Sequence, residues 1–198
     1  MILDLLVVGS GGNGQTYFMK FCQNNDIKTN CWNDTDGLKH INHPKLINNK
    51  YKIKKCIFIY NHPYKSILSH FRRNWWYTQI NKLGDPYKLP KNIQNIEDYY
   101  KLVIRSKKDL FGIEVQFDNW FNNHTVVDFP ILFLDFNEIL NNCEVINNFL
   151  QKSLNYKKFI IIERNSDNIK KINKKAKKIY DKLYRKIKYK LTNYRIKF

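Results

Sequence analysis

Residues 7–21 read VVGSGGNGQTYFMKF, and Gly9, Gly11, Gly12 and Gly14 fall within six consecutive positions, between an apolar run and a helix-forming stretch. Glycines at this spacing let main-chain amides approach an oxyanion closely. A helix beginning near Thr16 aims the positive end of its dipole at the same point. Gly9 to Thr16 fits the phosphate-loop pattern G-x-x-x-x-G-K-S/T everywhere except at the lysine, where Gln15 stands. Glutamine donates a hydrogen bond but cannot neutralise the terminal phosphates of a nucleoside triphosphate, which argues against an ordinary ATPase or GTPase and disfavours a nucleotide kinase. Gly11, Gly12, Asn13, Gly14, Gln15 and Thr16 are the expected lining of an anion site. The competing reading is a bare strand-to-helix turn.

The histidines are the other groups able to move protons. His40 and His43 lie in KHINHPKL (39–46), His62 precedes Pro63, and His70 and His124 fall in helical stretches with no assigned role. Cys22, Cys31, Cys56 and Cys143 are dispersed, with no C-x-x-C pair and no short spacing to histidine, so they read as reduced thiols and no metal is expected.

Three apolar runs, Ile2 to Val8, Cys56 to Tyr60 and Pro130 to Leu134, have the continuous pattern of strands buried on both faces, which belongs to parallel sheets. Helical stretches are expected from Thr16 to Gln23, Tyr64 to Asn81, Ile96 to Leu110, Phe111 to Asn122 and Asn137 to Leu150. Residues 28–50 show no period and read as loop, while Gly84-Asp85-Pro86 and Leu89-Pro90 break the chain between two helices. From Ile169 onward Ile169, Ile172, Ala176, Ile179, Leu183 and Ile187 recur every three or four residues among lysines, a long amphipathic helix over 169–191 with a basic outer face. Alternating strands and helices over 198 residues imply one α/β domain, 1–198, with a parallel sheet covered on both sides in three layers.

The net charge is +18. The abundance of Lys, Asn, Ile, Tyr and Phe and the single alanine, Ala176, point to an AT-rich coding sequence, but glutamate is scarce, so codon bias does not explain the basic excess. A polyanionic partner such as nucleic acid fits that charge, carried mainly by the C-terminal helix. Trp75, Trp76, Tyr77 and Trp120 admit base stacking near basic residues, with packing under the sheet as the plainer reading. No apolar run reaches the roughly 20 residues of a membrane span. The opening MILDLLVVG contains Asp4 and lacks a basic lead, so it reads as a buried strand rather than a signal peptide, and a soluble cytoplasmic protein is expected.

Two further segments give the order of motifs a family likeness. KKCIFIYNHPYKSILSHFRRNWW (54–76) resembles the sulfotransferase segment in which a strand, an Arg-Asn-Pro turn and a serine six residues after the proline hold the 3'-phosphate of 3'-phosphoadenosine 5'-phosphosulfate (PAPS). FGIEVQFDNWFNN (111–123) followed by PILFLDFNEILNNCEVINNFL (130–150) is similar to that family's aromatic helix, strand, acidic strand end and following helix. Arg164-Asn165-Ser166 before a lysine-rich helix is similar to the tails of carbohydrate-type members.

The resemblance implies a sulfotransferase-like P-loop fold, PAPS as sulfuryl donor, and a hydroxyl on a glycan or small molecule as acceptor. By position, Gly14, Gln15 and Thr16 would hold the 5'-phosphosulfate, Asn61 and Ser69 would lie at the 3'-phosphate, and Arg164 would approach the nucleotide. A general base must take the acceptor's proton. The segment matching the family's histidine-containing one makes His43 the first candidate and His40 the second. Two departures stand out: Gly12 where many members carry Lys or Arg, and Asn61 where the 3'-phosphate arginine sits. Each missing charge-assisted contact is typically worth about 1.5–3 kcal/mol, unless Lys65, Arg72, Arg73 or His62 supplies it. The rival class is a catalytically degenerate relative that binds a polyanion through its basic surface.

Overall fold

A computed structural model describes residues 1–83, 89, 93–159, 173–192 and 194. The three apolar runs form parallel strands, but the first is cut in two. Ile2–Leu3 (β1) pairs with Lys52–Ile53 (β3) in a small two-stranded sheet, while Leu6–Val8 (β2), Cys56–Tyr60 (β4) and Ile131–Asp135 (β5) form a second sheet in the order β2-β4-β5. The break falls at Asp4, an acid that no buried strand can carry unpaired. Its carboxylate turns out to Lys54 Nζ at 2.7 Å and accepts the Lys28 backbone amide at 3.2 Å. β2 has β4 on one side only, and on the other Asn30 imitates a strand: its side chain accepts from Val7 N at 2.8 Å and donates to Val7 O at 3.1 Å.

Helices cover both faces of the larger sheet. Gln15–Gln23 (α1) and Cys143–Leu150 (α6) pack over Val7, Ile57, Ile59, Leu132 and Leu134. Pro63–Arg72 (α2), Trp76–Leu83 (α3), Ile96–Ser106 (α4), Ile113–Asn122 (α5) and Lys174–Thr192 (α7) pack over Val8, Phe58, Tyr60, Ile131 and Phe133 on the other face. Two inward-facing sets along each strand explain why the runs lack alternation. Three expected helices are shorter than their patterns. The 64–81 stretch breaks at Asn74 (φ 55°), dividing α2 from α3; α4 stops at Lys107 (φ 55°); and residues 136–142 form 3₁₀ turns before α6. Asparagine tolerates the left-handed conformation, and each such residue redirects the chain.

Residues 28–50 are loop, as their aperiodic composition implies, apart from a 3₁₀ turn at Pro44–Leu46. The Gly84-Asp85-Pro86 break, Pro90, Arg164, Ile169 and Ile172 lie outside the described residues. Among the described residues no helix is long and apolar enough to cross a membrane.

Candidate anion-binding site

β2 ends at Val8, and Gly9 to Gly14 carry the chain into α1. Gly11 (φ 81°), Gly12 (φ 67°) and Gly14 (φ 75°) are all left-handed, a run of backbone only glycine adopts without strain. Gly14 is the N-cap of α1 and no side chain caps the helix. Carbonyls and side chains of the loop are tied into the protein: Gln79 Nε2 donates to Ser10 O (2.9 Å), and Asn13 Nδ2 donates to Ser10 Oγ (3.0 Å) and Ile59 O (3.3 Å). Ser66 of α2 donates to Asn13 Oδ1. The amides are not tied. Gly9 N donates to Lys39 O at 3.2 Å, and the first turn of α1 closes with Tyr17 N and Phe18 N on Gly14 O, but among the described residues the N–H groups of residues 10–16 meet no acceptor. Seven consecutive backbone N–H groups at a glycine turn and a helix start are thus without a protein partner, the kind of donor row that glycine-loop anion sites use, although Ser10, Gly11, Asn13 and Gln15 are buried.

Lys39 faces this loop from the segment after α1. Its Nζ donates to Thr16 Oγ1 at 2.6 Å and to Trp32 O at 2.7 Å, and its carbonyl accepts from both Gly9 N and Gln15 Nε2, each at 3.2 Å. Burial pulls its ammonium pKa down, opposed by the charge of Asp34 and reinforced by Arg73 and Lys82. Beside it, His40 Nδ1 donates to Gly9 O at 2.9 Å, which fixes the tautomer and leaves the Nε2 lone pair available. Burial depresses His40 to about 4. On the far side, a Cβ built on Gly11 would lie 2.8 Å from His70 Nε2 and 3.0 Å from His40 Cε1, so the two imidazoles converge on that glycine. His70 is 2% exposed and neither ring nitrogen has a hydrogen-bond partner. Burial first, then the neighbouring Arg73, lowers it to about 3, and the Ser10 and Gly11 backbone opposes them only weakly.

The positions singled out from sequence are placed unevenly. The loop residues Gly11 to Thr16 and His40 come together. His43 does not join them: it caps the Pro44–Leu46 turn, accepting from Lys45 N at 3.1 Å, and its Nε2 meets Asn123 Nδ2 at 3.3 Å. At the carboxyl end of β4, Asn61 Oδ1 accepts from His62 N (2.6 Å) and Asn137 Nδ2 (2.8 Å). His62 is committed to Asp181 at 2.8 Å. Ser69 is half-buried on α2, and its carbonyl accepts from Arg73 Nε at 3.0 Å. Gly12 has a steric reason to be glycine: a Cβ there would meet the Ser66 carbonyl at 2.7 Å, so no lysine or arginine fits where α2 crosses the loop. No sequence signal marks Lys39, Ser66 and His70 as loop partners, because only the crossing of α2 and the return of residues 31–43 bring them there. Of the aromatic residues, Trp120 is fully buried with Nε1 on Ile41 O (3.1 Å), and Trp76 stacks on Phe71. Trp75, beneath Arg73, and Tyr77 are exposed.

A second charged feature is an open groove of about 470 Å³ between the end of α4, the start of α5 and α7, whose lining mixes six lysines, among them Lys175, Lys178 and Lys182, with the acids Asp109 and Glu114 and apolar side chains such as Leu183. Lys186 is paired with Glu114. Among the described residues no group of three or more metal-ligating side chains occurs.

The buried His70 carries a pH expectation. Its unfolded pKa near 6.5 exceeds the folded value of about 3, so below pH 6.5 the unfolded chain takes up a proton that the folded one refuses. The stability this residue supports is present above about pH 6.5 and declines as pH falls. Urea unfolding at pH 7 and pH 5 is expected to show the wild type losing roughly 2 kcal/mol more than His70→Phe. An equal loss in both proteins would show that His70 is protonated in the native state.

Comparison of the sequence with protein-family descriptions and with curated proteins finds no match.

Proposed function

We propose that this chain is a sulfotransferase-like nucleotide-binding protein that seats the phosphosulfate of PAPS on residues 9–16 and passes the sulfuryl group to a hydroxyl of a glycan or small molecule. The observation that carries this reading is the row of open amides from Ser10 to Thr16, entered from a parallel strand and leading directly into a helix. The sheet order β2-β4-β5 supports it, because the strand beside the loop is the one that leads through Asn61 and Pro63 into α2, the stretch matching the family's 3'-phosphate segment. In the transfer, the acceptor oxygen bonds to sulfur as the bond from sulfur to the 5'-phosphate oxygen breaks. The acceptor's proton passes to His40 Nε2, the free lone pair beside the loop.

Calorimetry with 3'-phosphoadenosine 5'-phosphate and with adenosine 5'-monophosphate tests the reading without knowing the acceptor. The bisphosphate is expected to bind at least about tenfold more tightly, a difference of 1.4 kcal/mol, and Ser69→Ala to remove most of that preference. Equal affinity for the two nucleotides refutes it.

The groove supports a second reading, a catalytically inactive relative holding a polyanion such as RNA. Its lysines at 175, 178, 182 and 186 recur along one side of α7, opposite Lys107 and Lys108. Phosphate contacts of this kind weaken steeply with salt and discriminate little between sequences.

A further inference from the structure

We propose that Lys39 is the phosphate-binding lysine of the glycine loop, delivered from the segment between α1 and β3 instead of from the first turn of the helix, and that it engages a terminal phosphate or sulfate oxyanion seated there. The inference rests on reading residues 9–16 as an anion cradle and adds the group that supplies the cradle's full charge.

In a phosphate loop the lysine before the Ser/Thr places an ammonium beside the oxyanion. Here that position is Gln15, which is 2% exposed and spends its amide on the carbonyl of Lys39. The two residues have exchanged duties: Gln15 holds the main chain of residue 39, and residue 39 returns the ammonium to the loop, on the hydroxyl of the very next residue, Thr16, at 2.6 Å. Residues 39 and 40 are fastened to the loop at four places. Gly9 N and Gln15 Nε2 meet Lys39 O, Lys39 Nζ meets Thr16 Oγ1, and His40 Nδ1 meets Gly9 O. An ammonium has three donors, and two are used, by Thr16 and Trp32, so one is left for a ligand.

The charge is only partly offset. Against the lowering by burial, Asp34 raises the Lys39 pKa through its charge and accepts from the Lys39 backbone amide at 3.0 Å, but its ion pair is with Lys82, not with the Lys39 ammonium. A partly buried cation beside unpartnered amides, with no direct ion pair, has surroundings that an oxyanion would complete. His70, 2% exposed, brings its ring against Gly11 on the same loop, and neither of its ring nitrogens has a hydrogen-bond partner. A structural staple would explain the carbonyl contacts of Lys39, but it does not require the half-buried ammonium to reach Thr16.

The test uses inorganic pyrophosphate as probe, titrated calorimetrically into the full chain. Lys39→Met is expected to weaken binding by tenfold or more. The double variant Lys39→Met/Gln15→Lys, which returns a lysine to the usual place, is expected to recover most of the loss, an outcome that a staple would not produce. Should the single variant fail to fold, acetylation of the wild type by acetic anhydride, read by mass spectrometry, replaces it. Pyrophosphate is then expected to protect Lys39 several-fold more than the exposed Lys52. Undiminished binding by a folded Lys39→Met, absence of millimolar pyrophosphate binding by the wild type, or absence of protection at Lys39 each overturns the proposal. The nucleotide comparison above is separate: indifference to the 3'-phosphate would end the PAPS reading while leaving the role of Lys39 standing.

Discussion

Tyr180→Ala is expected to lower the stability of the chain by about 4 kcal/mol, because it removes one of the largest fully buried side chains from the contact between α7 and the sheet-facing helices. α7 packs on α2 and α4 through Ala176, Tyr180, Leu183 and Ile187, all buried. The Tyr180 hydroxyl meets that of Tyr99 at 2.6 Å, inside the core. Tyr180→Phe, which keeps the ring and loses only the hydroxyl pair, is expected to cost about 1 kcal/mol. Lysines on the outer surface behave otherwise. Changing Lys178 and Lys182 together to glutamine is expected to alter stability by less than about 0.5 kcal/mol, since neither has an acid partner among the described residues and both are exposed. Urea unfolding of the three variants measures all of this. A small loss for Tyr180→Ala would mean that α7 is an appendage carrying charge. Filter binding of RNA across a salt series, with the lysine variant, then bears on the polyanion reading: a marked salt-sensitive loss favours the groove as its binding surface.

Gly14→Val is expected to be comparably damaging, at about 2–6 kcal/mol, and to abolish pyrophosphate binding by whatever protein remains folded. Two costs combine. The residue sits at φ 75°, where a β-branched side chain is strained by about 1–3 kcal/mol. Its Cβ would also lie 2.0 Å from the Phe136 ring, an overlap typically costing about 1–3 kcal/mol more. The pair Gly14→Ala and Gly14→Ala/Phe136→Ala separates the two. Cutting back the ring relieves the overlap and leaves the backbone strain, so relative to Phe136→Ala alone the glycine substitution is expected to cost only about 1–2 kcal/mol. Equal stability of Gly14→Val and wild type would mean that the loop conformation differs from the one described.

Residues 28–50 illustrate where the sequence stops being readable. Their composition correctly implies loop, since no period of 2 or 3.6 runs through Asn, Asp and Lys. The same aperiodicity conceals the fact that Asn30 continues the sheet edge and that Lys39 and His40 reach the glycine loop. Between two histidines three residues apart, the chain itself offers no basis for choice. The family resemblance favours His43, whereas the geometry sets it as a turn cap and sets His40 against Gly9. Ser66 and Ser69 pose the same difficulty on α2, where only the helix crossing decides that Ser66 touches Asn13.

Local physics therefore accounts for the strands, the glycine turn and the amphipathic terminal helix: continuous apolar runs, positive-φ residues and a 3.6-residue stripe each act over a few neighbouring positions. The mixed α/β arrangement, with parallel strands flanked by helices, follows from those periods once the chain must bury both faces of the strands. What the periods do not contain is the meeting of residues 23 to 59 positions apart around Gly11. His40 and His70 meet at Gly11, and the Lys39 ammonium meets Thr16, only because α2 crosses one side of the loop while residues 31–43 return along the other. Charge, burial and protonation there depend on the packed neighbours, and sequence spacing carries no record of them.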